Sequence, residues 1–595
     1  MTNRRRTVFA AVLALVVAAT GAAGIVGLAR RGGSSNAPAI PFLTERPAAA
    51  YLTTLICSIL DANGGGAGIR GQDGGTTNVI DGRSYWTFGD TILQDGGFLP
   101  NNIGVSSDTD PDNCIDITRK TDASGKAAPL LTKEADEATV WPAAGQVSVQ
   151  PGVVHFLFNS VARADPNTGT YELNGIGLGK FGVTDLTATR VIDKLIDSQS
   201  FPGQSLSATG MLLTDGYVYV YFEVDWNVRV GRVPVAAIED AASYRYWNGH
   251  TWDSEVTRSV DILQTGGGQQ AFNVDFNPYL GKWTAMYSTN SLSAIAMAYA
   301  SAPEGPFTDE TILVDCKPFL QSASAVRLHP RLFPERQHSY LCYHPTQHPQ
   351  FDKNDRQTLY ITYANYATYT LWLNRLVLAV PFVQWDDAAG NATYGRQGQA
   401  VANATPEGVA FYVPTEPGES LAGIHDWFDP ANGVHRLGAT TPGTEFVDHG
   451  VAFYASTTSG PGLEPVTRWE SEGKPALYSV FDLTELGYRA TEVAFYAVTL
   501  RDQPSFNAKS GYVYWVRKRG GHDFGCCDQT NNPTRQTQDR EHEFTLSVDP
   551  SPDGYEALVC SPVCGTGGKV VWSGPVTFSP NAIGGKLTLT PHGPK

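Results

Sequence analysis

The sequence predicts an all-β protein in three parts: a five-bladed β-propeller over residues 51–383, a threefold repeat of trefoil-like period over 384–508, and a small disulfide-stapled β-unit over 509–595. Three observations predict it. Gly 61, Pro 37, Tyr 26 and Phe 26 stand against four Met, a composition of turns and strands more than of long helices. A hairpin of aromatic and β-branched residues recurs five times, about 68 residues apart. A tighter period of 42 residues begins where the hairpins stop. With 595 residues, 42% hydrophobic and 17% charged, the chain has material for several packed cores.

Residues 1–31 precede these parts and read as an export segment. Arg4-Arg5-Arg6 lead an apolar run from Val8 to Ala29, followed by Arg30-Arg31. The run is long enough to span a bilayer, and the small residues Gly21–Ala23 suit signal cleavage. Cleavage gives a secreted protein; retention gives an N-terminal membrane tether with the bulk outside. Residues 32–50 are a Gly/Ser/Pro/Ala linker. The formal charge is −16, and the export segment holds five of the arginines, so the body is more acidic still. Such a body repels a phosphate backbone, which argues against nucleic acid as a partner. A neutral glycan is not repelled.

In the propeller, the five leading strands are YWTFGDT (85–91), VVHFLFNS (153–160), YVYVYFEVD (217–225), KWTAMYSTN (282–290) and TLYITYANY (358–366). Their partners are NNIGVSSD (101–108), GIGLGKFG (175–182), VRVGRVPV (228–235), AIAMAYAS (294–301) and LVLAVPFV (376–383). Turn residues precede the leading strands, as in Asp81-Gly82 and Asp215-Gly216. No unit can bury both its faces alone, so five similar units point to radial stacking.

In the second part, Trp385, Trp427 and Trp469 repeat at 42 residues. Phe411-Tyr412, Phe453-Tyr454 and Phe495-Tyr496 do the same within GVAFY, GVAFY and EVAFY. Three short β-repeats of this length suggest a trefoil, with the aromatic residues mostly in its core. The last part breaks the register and carries four of the eight cysteines. An exported protein favours disulfides. Chain proximity suggests Cys57–Cys114, Cys316–Cys342 and two bridges among Cys526, Cys527, Cys560 and Cys564, whose pairing stays open. The CC…CxxxC spacing of that last set suits zinc poorly.

Propeller inner strands ring a central pocket, so a site there needs polar groups from several blades. Candidate carboxylates are Asp73 beside Gln72 in GIRGQDGGTTNV, Asp90 after Phe88-Gly89, Glu223 and Asp225 at the end of a strong strand, and Asp275 in AFNVDFNP. Glycoside cleavage needs one protonated carboxyl to feed the leaving oxygen and one ionised carboxylate facing the oxocarbenium-like centre. We expect Asp73, Asp90 and Glu223 as the catalytic set, with Gln72, Trp86, Asp225, Trp226 and Asp275 contacting substrate. Asp81 and Asp215 read as turn residues. Of the four histidines in 329–348, His344 and His348 are expected to line the pocket. Their HxxxH spacing encloses Pro345, so it is no helical metal pair, and no metal is expected. No cofactor is expected either: GGGQQ (266–270) precedes a strand and makes no phosphate cradle.

The run G-Q-D-G-G (71–75), then DGRSYWTFGDT (81–91) and NNIGVSSD (101–108), resembles the start of a family of secreted actinobacterial propellers. YHPTQHP (343–349) with TLYITYANY looks like that family's last blade. The family was long catalogued only as a domain of unknown function, number 4185, and is associated with endo-D-arabinanases. The resemblance spans roughly residues 55–383 and implies hydrolysis of an arabinofuranose polymer of cell walls, with Asp73 and Asp90 as the matching aspartates. The 42-residue repeats resemble modules appended to extracellular enzymes, with carbohydrate binding as their role. The rival expectations are a non-catalytic surface lectin and a propeller hydrolase of another glycan.

Overall fold

The structure is a computed structural model that describes residues 40–43, 45–62, 66–165, 170–264, 271–289, 294–315, 342–365, 369–388 and 390–499, with the backbone of five strands beyond residue 512. The expected export segment, Cys316, His329, His338, Cys526, Cys527 and Cys564 lie outside the described residues, and Cys560 lies on a strand described by its backbone alone. Among the described residues no helix is long and apolar enough to cross a membrane. Helical structure there is confined to the single α-turn Ile59–Ala62 and short 3₁₀ turns.

Five antiparallel sheets follow one another along the chain. Their innermost strands are Ile69–Ile80, Thr139–Gln150, Leu206–Thr214, Phe272–Asn277 and Cys342–Gln347. Each packs beside the next, and the last packs beside the first, which closes a ring of five blades. The expected hairpins form the second and third strands of each blade: Tyr217–Val224 with Asn227–Pro234, for example, and Lys282–Thr289 with Ala294–Ala300. Their strict alternation explains why. Tyr219 and Tyr221 face one neighbouring blade, whereas Val220 and Phe222 face the other. Each blade junction has its own apolar cluster, such as Tyr85, Phe156 and Phe158 between the first and second blades. Both residues of the Asp81-Gly82 and Asp215-Gly216 turns have positive φ, the geometry of tight hairpins, so these aspartates are turn residues as expected.

The ring is closed by a strand from the far end of the chain. Ala49–Ser58 pairs antiparallel with Thr370–Asp387 and becomes the outer strand of the fifth blade. Cys57 at its end is bonded to Cys114 after the first blade's third strand, as chain proximity suggested. Cys342 is also disulfide-bonded. The Cys57–Cys114 bridge closes a loop with a sequence separation of 57, and a disulfide of this kind contributes about 2–4 kcal/mol. Replacing both cysteines by serine is expected to lower the unfolding free energy by that amount, read from denaturant melts of the whole chain. An unchanged midpoint would mean that strand pairing alone holds the closure.

Thr370–Asp387 continues unbroken from the fifth blade into the first 42-residue repeat, where it pairs with Ala392–Arg396 and Ala404–Val413. The second and third repeats are separate three-stranded sheets, ordered Val434–Gly438, Ala422–Asp429, Val447–Ala455 and Lys474–Ser479, Glu464–Ser471, Arg489–Ala497. Phe411, Phe453 and Phe495, one from each repeat, meet in a triangle with ring centroids 5.0–5.5 Å apart. The threefold arrangement is therefore present. The six-stranded barrel of a trefoil is not seen among the described residues: backbone pairing between repeats consists of the bridges Tyr412↔Val498 and Ser456↔Tyr496 and one bond from the Tyr454 N–H to the Pro414 carbonyl, so each pair of repeats is linked without a continuous ladder.

Candidate active site

Asp73 sits on the inner strand of the first blade, where the ladder is irregular. Gln72 pairs with Thr91 and Gly74 with Phe88, so the single residue Asp73 faces two, Gly89 and Asp90. This is a β-bulge, a device that bends a strand and re-aims a side chain. The sequence provides for it. Gly74 and Gly75 have φ of 80° and 99°, a region other residues enter only with strain. A Cβ on Gly89 would collide with the Asp73 carboxylate, so the glycine makes room for it.

Three donors hold Asp73. The hydroxyls of Tyr343 and Tyr369 donate to Oδ2 at 2.6 and 2.8 Å, and the Asp90 backbone N–H donates to the same carboxylate group. Tyr343 comes from the inner strand of the fifth blade and Tyr369 from the turn before its third strand. From the second blade, the Trp141 indole N–H donates to Asp90 Oδ1 at 2.7 Å. Both aspartates are half-buried and together join three blades at one mouth of the ring.

Electrostatics sets the two apart. Burial pushes the Asp73 carboxyl up to about 6, against the opposing pull of its three hydrogen bonds. Burial pushes Asp90 well above the usual carboxylate range; the charge of Asp73 adds to this, and the Trp141 N–H opposes it. The pair thus favours one ionised and one protonated carboxyl near neutrality. Tyr343 and Tyr369 are held well above their ordinary value by burial and by the Asp73 charge, so they remain donors.

Glu223 ends the second strand of the third blade, at the end corresponding to Asp90. It is buried, its Oε1 has no hydrogen-bond partner, and burial alone holds it well above the ordinary range. It shares no hydrogen bond with the aspartate pair, whose partners come from the first, second and fifth blades.

Several expected substrate contacts are placed elsewhere. Trp86 is fully buried between the first and fifth blades, its ring 4.6 Å from that of His348. His348 is fully buried too, its Nδ1 3.0 Å from Thr77 Oγ1 and its Nε2 2.8 Å from Thr362 Oγ1. Burial lowers it to about 3, which keeps it neutral. Both are core residues and not sugar contacts. Gln72 is fully buried with its amide unpartnered, so it is not presented to solvent. Asp225 and Trp226 form the tight hairpin turn of the third blade, with φ of 47° and 67°. Asp225 accepts from the Ser205 backbone and the Gln204 amide and is an exposed turn anchor. Asp275 lies further down its inner strand and pairs with Arg356 at 2.8 Å, on the connection leading out of the opposite end of the fifth blade's inner strand. His344, beside Tyr343, is strained at φ 54° and buried with Nδ1 unpartnered, and burial lowers it to about 4.

Sequence reasoning missed Trp141, Tyr343 and Tyr369 as individual site residues. Tyr343 stood in the quoted YHPTQHP motif, but VWPAAG (140–145) with its proline and glycine does not announce an inner strand, and nothing in TYT (368–370) marks Tyr369.

The chain is thus a five-bladed all-β propeller, with an aspartate pair whose hydrogen bonds join three of its blades. Residues 62–375, just over half the chain, match the model of the Domain of unknown function (DUF4185), and the chain belongs to that family. No curated protein matches. Among solved structures, similar chains include a glycosyl hydrolase from Bacteroides ovatus (11% identity, TM-score 0.33, 62% of this chain and 99% of that one). They also include an α-L-arabinofuranosidase from Podospora anserina (10%, 0.33, 56% and 98%) and a GH43_1 enzyme from Xanthomonas citri complexed with xylotriose (13%, 0.33, 56% and 95%).

Proposed function

We propose that this protein is an exported glycoside hydrolase that cleaves arabinofuranosyl linkages within a cell-wall polysaccharide, in the manner of an endo-D-arabinanase. The observation that carries this reading is the Asp73–Asp90 pair, two half-buried carboxyls at one β-bulge with different proton affinities. Asp90 is the proton donor. The Trp141 N–H can only donate, so Oδ1 of Asp90 accepts and the proton resides on Oδ2. That proton passes to the leaving glycosidic oxygen. Asp73, held ionised and oriented by two tyrosine hydroxyls, faces the positive charge developing at the anomeric carbon. Water then adds to the anomeric carbon, and the proton it sheds restores the acid form of Asp90. The three repeats bind the polysaccharide and raise the local substrate concentration.

The test is incubation with D-arabinan, L-arabinan and other neutral glycans, followed by assay for new reducing ends. Product from D-arabinan supports the reading. Binding without product would make the protein a lectin, and product from another glycan alone would move the substrate assignment.

The pH profile is a second check. Activity requires Asp73 ionised and Asp90 protonated, so kcat/KM is expected to be bell-shaped with its acidic limb near pH 6. Tyr343→Phe removes a donor to the ionised form of Asp73, which raises its pKa. The acidic limb should move to higher pH, by about half a unit to one unit. A limb unmoved by Tyr343→Phe would detach Asp73 from that limb.

A further inference from the structure

The second repeat carries a polar cluster that its sister repeats lack. Asp426 and Phe428 are two residues apart on Ala422–Asp429 and share one face of its sheet. His435 lies opposite Phe428 on the neighbouring strand, and its ring is 4.8 Å from that of Phe428. His449, on the strand at the other side, stacks on the same phenyl ring at 5.0 Å. The Nδ1 atom of His435 lies 2.8 and 2.9 Å from the two Asp426 oxygens, and Nδ1 of His449 lies 3.7 Å from Oδ2. One ligating atom from each residue falls within 4.8 Å of the other two.

We propose that Asp426, His435 and His449 form a binding site for a divalent transition-metal ion of the zinc class. Two imidazole nitrogens and one carboxylate are the donors such an ion takes, at bond lengths of about 2.0–2.2 Å. Those lengths put tetrahedral ligand atoms about 3.3 Å apart, between the 2.8 and 3.7 Å that separate the Asp426 carboxylate from the two imidazoles. Phe428 backs both imidazoles and limits their tilt. His449 is exposed, so the fourth position opens to solvent for water or an oxygen ligand.

A simple ion pair between His435 and Asp426 would explain one short distance. It leaves unexplained why a second imidazole turns Nδ1 toward the same carboxylate. The fold does not demand these residues either. Corresponding positions 42 residues away hold Gln384, Thr393 and Glu407 in the first repeat, and Arg468, Leu477 and Thr491 in the third. His425 and Asp448, one residue away from Asp426 and His449, make a pair at 2.9 Å with a single imidazole. That pair is the internal control.

The full-length untagged chain, stripped with chelator, is titrated with zinc chloride by calorimetry, and zinc-dependent thermal melts are recorded alongside. The double variant Asp426→Gln/His435→Thr takes its residues from the corresponding positions of the first repeat, which lie on paired strands there too. It is expected to lose at least about tenfold in affinity for one zinc equivalent and to lose the zinc-dependent rise in melting temperature. His425→Gln should bind as the parent does. The other histidines and cysteines of the chain contribute equally to parent and variant, so the difference reports this cluster. Parent and double variant binding alike, or a parent that takes up no zinc at micromolar free metal, overturns the proposal. If the double variant misfolds, His449→Gln alone, on an exposed side chain, decides by the same two readouts.

Discussion

If the proposed glycan cleavage holds, Asp73→Asn is expected to lower its rate by about 10²–10⁴-fold while making the folded protein more stable at neutral pH. Both effects come from one cause. The Asp73 carboxyl titrates near 3.8 in the unfolded chain and near 6 in the fold. A raised folded value means that the native state binds the proton more tightly, so this group's stability contribution is complete below about pH 4 and is lost as pH rises through about 6. At pH 7 the ionised group therefore opposes folding, with an arithmetic ceiling of about 3 kcal/mol. Asparagine keeps an oxygen for the Tyr343 and Tyr369 hydroxyls but gives up the charge-assisted part of those bonds. A net gain of about 1–2 kcal/mol is expected at pH 7.5 and none at pH 4. Asp90→Asn should act likewise, since Asp90 is raised by burial and by the Asp73 charge. Denaturant melts at the two pH values, with a reducing-end assay on the same samples, check both halves. Full activity in both variants would remove the pair from the chemistry. Lost activity with lowered stability would make the aspartates structural.

The parts of this arrangement that the sequence made legible are those where alternation runs unbroken. Tyr217–Val224 could be read as a strand because its aromatic and β-branched residues feed two blade junctions at once. The inner strands were harder, because the same irregularities that build the site erase its pattern. Ile69–Ile80 is a twelve-residue strand, yet its three internal glycines make it look like a loop. Alternation alone would also point Asp90 the same way as Trp86 and Phe88, into the core; the bulge at Gly89 breaks that alternation. The errors have the same origin in reverse. Trp86 and His348 are residue types that sugars stack on or bond to, and a sequence does not say which face of a strand meets solvent. Here both faces of the blade are covered, so aromatic bulk went to packing and the Thr77 and Thr362 hydroxyls satisfied the imidazole. For Asp275 the register decided: three residues along the inner strand carry it away from the level of Phe272 and toward Arg356.

Phe453→Ala is the substitution expected to cost the most stability. Phe453 is 1% exposed and sits at the crossing of three repeats. Its ring is 5.5 Å from that of Phe411, 5.0 Å from that of Phe495 and 4.9 Å from that of Phe382 on the strand arriving from the fifth blade. Truncation to alanine loses the transfer free energy of the ring and leaves a cavity that three separate sheets cannot easily collapse, about 3–5 kcal/mol. The lost edge-on aromatic contacts add to this. The second and third repeats are sheets of only three strands, the first shares its long strand with the fifth blade, and the repeats are joined to one another by isolated bridges, so the phenyl triangle, and not a shared ladder, carries the association. Phe453→Leu keeps most of the volume and should cost less than about 1.5 kcal/mol. Denaturant melts are to be followed by tryptophan fluorescence, with glycan cleavage at 25 °C as an independent reading of the propeller. The expected result is an early transition for the repeats in Phe453→Ala with cleavage retained, because the aspartate pair is held by blades one, two and five through contacts that do not include Phe453. A loss below about 1 kcal/mol would mean that the repeats are held by their contacts with the propeller, among them the Tyr51 hydroxyl bonded to the Tyr496 carbonyl and the Ser456 N–H, more than by one another.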